Sequence, residues 1–130
     1  MNIAIDIDDT LTESFDYFLP YVAEYFDVDE ETLRKQNISY SNLPKEWKKD
    51  EIGFCRAYYD RIVPGTPFKQ DAAWGVKRLR ELGHRIVIIT ARTDALYTDP
   101  YQTTEQELAN GGICYDTVSY THLTLPTILR

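Results

Sequence analysis

Two short apolar runs, each halted by a polar cluster, constrain this chain most. Residues 1–7 carry Ile3, Ala4, Ile5 and Ile7 almost without a break, then stop at Asp8, Asp9 and Thr10. Residues 85–90 carry Ile86, Val87, Ile88 and Ile89 in succession, then stop at Thr90, Ala91, Arg92, Thr93 and Asp94. Continuous apolar runs of this length predict strands buried on both faces, as in a parallel sheet. A weaker third strand candidate begins near Ile113 and passes through Tyr115 and Val118.

Helical patterns separate these runs. Phe15, Phe18, Leu19, Val22, Ala23 and Phe26 recur at three- and four-residue steps, an amphipathic stripe in which Pro20 is expected to kink the helix or start its main body. Asp29 is placed to cap a short helix through Leu33. Pro44 can open a helix reaching Tyr59, weakened by Gly53. Residues 64–67, Pro-Gly-Thr-Pro, form a breaker cluster and a natural boundary. Residues 72–82 repeat Ala73, Val76, Leu79 and Leu82, with Gly83 at the position after the helix. Asp99 and Pro100 make an N-cap and first helical position for a helix to Ala109, ended by Gly111 and Gly112. Strand–helix alternation predicts an α/β parallel sheet. The block between the first strand and the breaker is too long for a simple crossover and reads as an inserted helical subdomain.

At 130 residues the chain has one domain's length, and 43% hydrophobic with 27% charged residues is a globular composition. No apolar run approaches the roughly 20 residues that span a bilayer, and no basic flank precedes an apolar leader segment. The expectation is a cytoplasmic protein. A net charge of −7 argues against wrapping nucleic acid or binding an anionic membrane. It leaves an anionic small-molecule substrate open, since a divalent cation reverses the local sign. Cys55 and Cys114 are too few for a disulfide framework and read as buried small hydrophobes. His84 reads as a surface loop residue. Trp74 with Lys77, Arg78 and Arg80 reads as a helix with one apolar and one solvated face, and the acidic run 27–31 as a solvated helix start.

Ligands in open α/β sheets bind beyond the carboxyl ends of the strands. Asp6 and Asp8 stand there two residues apart, so they share a face while Asp9 points away. Two carboxylates so close repel and call for a metal ion or a shared proton. At the second strand end, the Thr90 hydroxyl followed by the backbone N–H groups of Ala91 and Arg92 suits a phosphate.

The segment Asp6-Ile7-Asp8-Asp9-Thr10-Leu11-Thr12 resembles the first motif of the haloacid-dehalogenase-like phosphohydrolases, and Ile88-Ile89-Thr90-Ala91-Arg92 resembles their second. Within them the chain is similar to 5′(3′)-deoxyribonucleotidase-like and bacterial nucleotidase-like proteins, over roughly residues 1–117. The resemblance implies a Rossmann-like parallel core, residues 1–14 and 64–117, with a helical cap at 15–63. It implies Asp6 as the nucleophile forming an aspartyl-phosphate and Asp8 as acid and then base. It implies Mg²⁺ on the Asp6 carboxylate and the Asp8 backbone carbonyl. Thr90, Ala91 and Arg92, with Asp9 and Thr10, would serve the phosphate. Arg92 either reaches substrate or pairs with an acid of the cap. The substrate class is a small phosphorylated metabolite, such as a (deoxy)nucleotide. Phe15, Phe18, Trp47 and Tyr58 either face a base or sugar or pack the cap.

The resemblance also calls for a later lysine and one or two later acids. Beyond Arg92 there is no lysine, and the last acid is Asp116. Residues 118–127 are similar to a translated transposase-type sequencing adaptor. The expectation is a non-native tail at 118–130, an incomplete core and a chain with little or no turnover. The alternatives are a non-catalytic phosphate-binding or regulatory module on the same fold, and a phosphoacceptor receiver domain, against which the long insert speaks.

Overall fold

In the computed structural model, residues 1–121 are described. The chain forms β1 (Asn2–Asp6), α1 (Ser14–Tyr25), α2 (Glu30–Lys35), α3 (Lys45–Lys48), α4 (Glu51–Ile62), α5 (Ala72–Glu81), β2 (Arg85–Thr90), α6 (Pro100–Asn110) and β3 (Thr117–Tyr120). Short 3₁₀ turns at Tyr40–Asn42 and Val63–Gly65 bracket α3 and α4. The strands make one parallel sheet in the order β1-β2-β3, the α/β Rossmann-like arrangement the strand–helix alternation predicts. Of the expected 118–130 tail, Val118 to Tyr120 belong to β3, and residues 122–130 lie outside the described residues. No helix among the described residues is long and apolar enough to cross a membrane.

Among the described residues the sheet is covered on one side. Register places Ile3 beside Ile86, Ile5 beside Ile88, and Ile88 beside Val118. These side chains pack with Val76 and Leu79 of α5 and Leu108 of α6 in one cluster. The opposite face carries Asn2, Ala4, Val87, Ile89, Thr117 and Ser119, all exposed or half-exposed. This corrects the expectation that the first two strands are buried on both faces. Both crossovers progress in the same direction along the sheet, and right-handed connections therefore bring α5 and α6 to the same side.

The helical insert has its own core. Phe18 and Val22 of α1 meet Phe54, Cys55, Tyr59 and Ile62 of α4, and Tyr97 joins them from the loop after β2. A smaller cluster of Leu19, Ala23 and Leu33 seats α2 against α1. Helix α1 continues through Pro20 because that residue is exposed, as is Asp16, whose carbonyl loses its helical donor there and is left to water. The expected single helix from Pro44 to Tyr59 is two helices, separated at Lys49 and Asp50. Gly53 on α4 lies against the Asp50 carboxylate and the Tyr25 side chain. A Cβ there would collide with the Tyr25 hydroxyl, which donates to Asp50 Oδ2 at 2.7 Å.

The expected caps form. Asp29 accepts from the Thr32 N–H, and Asp99 accepts from the N–H groups of Tyr101 and Gln102. Gly83 follows α5 at φ +94°, in the left-handed region. Cys55 is buried, but Cys114 is exposed. Cys114 sits in the polar loop before β3, where Ile113 and not its neighbour turns inward. Neither cysteine pairs. His84 is half-buried rather than fully at the surface.

Candidate active site

The turn after β1 is tightly organised. The N–H groups of Thr10, Leu11 and Thr12 all point at the Ile7 carbonyl, at 3.2, 3.0 and 3.3 Å. Asp9 takes up φ +59°, a left-handed conformation that Asp tolerates better than most residues. Its N–H donates to Thr12 Oγ1 at 3.2 Å, and its carbonyl accepts from Lys69 Nζ at 2.9 Å. Residues 11–13 are tied to the segment returning from the insert: the Glu13 N–H donates to the Pro67 carbonyl and the Lys69 N–H to the Leu11 carbonyl, both at 2.8 Å. Chain entry to the insert and chain exit from it thus brace the same turn.

This turn delivers Asp6 and Asp8 to a cavity of about 220 Å³ shared with Thr90, Ala91 and Arg92 from the end of β2, and with Tyr59, Leu96 and Tyr97. Five of the residues singled out from sequence meet here. Asp9 and Thr10 do not line the cavity; they belong to the turn behind it. Phe15, Phe18, Trp47 and Tyr58 do not line it either. Phe18 is buried in the insert core, Trp47 stacks on Phe26 and Tyr58 stacks on Phe54.

The cavity is negative on one side. Burial raises the Asp6 carboxyl above its ordinary value, and the charge of Asp8 raises it further. Asp8 Oδ1 accepts from Ser14 Oγ at 3.2 Å and from Arg92 Nη2 at 3.1 Å. Arg92 is nearly fully buried, and its Nη1 stands 2.7 Å from Glu107 Oε1 and 3.2 Å from Thr104 Oγ1, both on α6. Burial works against its charge, but Asp8, Tyr97 and Glu107 hold the guanidinium protonated well above its usual range. The acid that pairs with Arg92 beside Asp8 therefore comes from the core helix α6 and not from the insert.

Tyr59, Leu96 and Tyr97 of the lining, and Glu107 behind Arg92, carry no clear signal in the sequence. Tyr59 is adjacent to Tyr58 on α4 and so points elsewhere, into the site, where its ring lies 5.2 Å from that of Tyr97. Tyr97 lies on an irregular loop without periodicity to flag it. Glu107 looks like one more solvated acid on an amphipathic helix, yet it is fully buried.

Two carboxylates facing one cavity fit a divalent cation of the Mg²⁺ type, which takes one or two carboxylates together with substrate oxygens. Among the described residues no third acid or histidine completes a ready-made cage. Among the described residues no lysine lines the cavity.

No family model matches the chain, and no curated protein matches it. The structure is similar to the crystal structure of a predicted phosphatase from Clostridium acetobutylicum, at 18% identity and a TM-score of 0.60. The match covers 94% of this chain and 61% of that one, so this chain spans about three-fifths of that protein's length. What the two share at this distance is the α/β Rossmann-like fold.

Proposed function

We propose that the cavity is the phosphoryl-transfer site of a Mg²⁺-dependent phosphomonoester hydrolase of the nucleotidase-like kind. One observation carries the reading. Asp6 and Asp8 from one strand end, and Thr90, Ala91 and Arg92 from the adjacent one, converge on a single cavity. An Asp6 carboxylate oxygen attacks phosphorus, the ester P–O bond breaks, and the leaving oxygen takes a proton from Asp8. A water then gives its proton to Asp8 and attacks phosphorus, releasing phosphate and freeing Asp6. The Thr90 hydroxyl and the Ala91 N–H hold the phosphoryl oxygens. Mg²⁺, on the Asp6 carboxylate and the Asp8 backbone carbonyl, would neutralise charge on the phosphoryl group.

The cavity admits a phosphoryl group with a small leaving group, and Tyr59 and Tyr97 set an aromatic wall against it. This supports a small phosphorylated metabolite, with deoxynucleoside monophosphates the finer expectation. A second reading is a phosphate-binding module without turnover. It is favoured by the commitment of Arg92 to Asp8 and Glu107.

The test is incubation of the purified chain with Mg²⁺ and acetyl phosphate, p-nitrophenyl phosphate or nucleoside monophosphates. The expected result is an acyl-phosphate on Asp6, detected by intact mass and hydroxylamine lability, or slow release of phosphate, both lost in Asp6→Asn. Phosphate binding without adduct or release supports the second reading. No binding, no adduct and no release overturns both.

A further inference from the structure

Glu107 is unexplained by the site as described. It is a fully buried carboxylate in the middle of α6, an arrangement proteins avoid unless the charge is matched. Its match is Arg92, at 2.7 Å, in an ion pair that lies off the hydrogen-bond line. Its second oxygen, Oε2, has no hydrogen-bond partner among the described residues. The nearby Thr66 hydroxyl donates to the Val63 carbonyl at 2.7 Å. Burial raises the Glu107 carboxyl above its ordinary value, and Arg92 pulls it back.

The guanidinium is thus held by two opposed partners. Nη1 faces Glu107 and Thr104 on α6, and Nη2 faces Asp8 Oδ1. The guanidinium is planar, so Nη1, hydrogen-bonded to Thr104 and drawn to the Glu107 charge, together with the chain entering at Nε restrains the direction of Nη2. The Tyr97 ring, 5.7 Å from the guanidinium carbon, covers its face. Asp8, by contrast, is 40% exposed, and its remaining side-chain partner is Ser14 at 3.2 Å. A half-exposed carboxylate that must give a proton to a leaving group needs its rotamer fixed from outside, and Arg92 meets it on the buried side.

We infer that Glu107 is a positioning residue: through Arg92 it sets the orientation of the Asp8 carboxyl. Resting on the reading of Asp8 as proton donor, the inference adds a residue on α6 to the site. It predicts a loss that depends on how much the leaving group needs a proton. An alkyl phosphate needs one; p-nitrophenolate leaves without it.

The test compares an alkyl phosphate with p-nitrophenyl phosphate in the full chain, wild type against Glu107→Gln. The readout is the rate of Asp6 adduct formation or phosphate release. The expected outcome is a rate about ten-fold lower on the alkyl ester, less than about three-fold lower on the aryl ester, with KM little changed. Equal losses on both esters, or none, overturn the inference, because a structural role moves both together. Should Glu107→Gln fail to fold, the apolar pair Arg92→Met with Glu107→Met replaces it, since removing both partners of a buried ion pair is often neutral for stability. The folded double variant is expected to lose more on the alkyl ester than on the aryl ester, on top of any loss from removing Arg92 from the cavity; wild-type rates on both esters overturn the inference. If the wild-type chain reacts with neither ester, the hydrolase reading fails on its own. The crystal structures then decide: Asp8 leaving Arg92 Nη2 in Glu107→Gln supports positioning, and an unmoved Asp8 overturns it.

Discussion

Replacing Phe54 with alanine tests whether the insert core holds up the site. Phe54 is 1% exposed and lies at the centre of the aromatic cluster. Its ring meets those of Tyr25 at 5.7 Å, Tyr40 at 6.0 Å, Tyr58 at 5.1 Å and Tyr59 at 6.2 Å. Four aromatic neighbours anchored on α1, α4 and the intervening turn cannot all collapse into the space left behind. The loss should therefore sit in the usual range for a buried Phe→Ala change, about 3–5 kcal/mol. Against a total of about 5–15 kcal/mol for a domain, that is a large fraction. Trp47, stacked on Phe26 at 4.6 Å, reports the insert, while Trp74 is exposed on α5. In a Trp74→Phe background, urea unfolding followed by Trp47 fluorescence should show the midpoint falling with its slope unchanged. Tyr59 loses its support in the same variant, so phosphate binding at the cavity should weaken in the folded protein. A loss below about 1 kcal/mol would show that the aromatic neighbours repack freely and that the insert core does not depend on Phe54.

Other expectations follow from single residues. Asp6→Asn should stabilise the fold at neutral pH, by less than about 1 kcal/mol because the group is partly solvated, seen as a raised melting temperature. Asp6 has a raised carboxyl value in the fold, so its charge costs stability as pH rises through that value; the gain should fade in acid, and a pH-independent gain would contradict it. Asp116 behaves oppositely. The Ile86 N–H, donating at 2.7 Å, and Arg80 hold its carboxyl below the ordinary value, so its contribution is present above the unfolded-state value and lost as pH falls through the lowered one. Asp116→Asn should flatten the acid limb of a melting-temperature profile. Gly111→Ala brings a methyl group into the Phe68 ring and should cost about 1–3 kcal/mol by thermal melting.

The strands, the caps at Asp29 and Asp99 and the glycine stop at Gly83 were legible because each rests on a local rule of spacing or backbone freedom. The convergence of Asp6, Asp8 and Thr90 was legible for a related reason. Residues at the carboxyl ends of adjacent parallel strands must be neighbours. What stayed hidden depends on contacts between distant segments. Glu107 is charged, and only the arrival of Arg92 from a loop fifteen positions earlier makes its burial tolerable. The uncovered face of the sheet could not be read from Ala4, Val87 or Ile89, because apolar runs record strand character and not which side a helix returns on.

Strand order also assigns unequal mechanical support to the chemistry. Among the described residues, β2 has a hydrogen-bonded neighbour on each side, while β1 has one. Thr90, the phosphate grip of the proposed site, thus ends the best-braced strand, and Asp6, its attacking group, ends a less braced one. Amide exchange should be slowest along β2, and β1 should open first. Loss of the nucleophile's alignment would then precede loss of the phosphate grip, and a partly opened molecule would still hold phosphate at a site where it could no longer react.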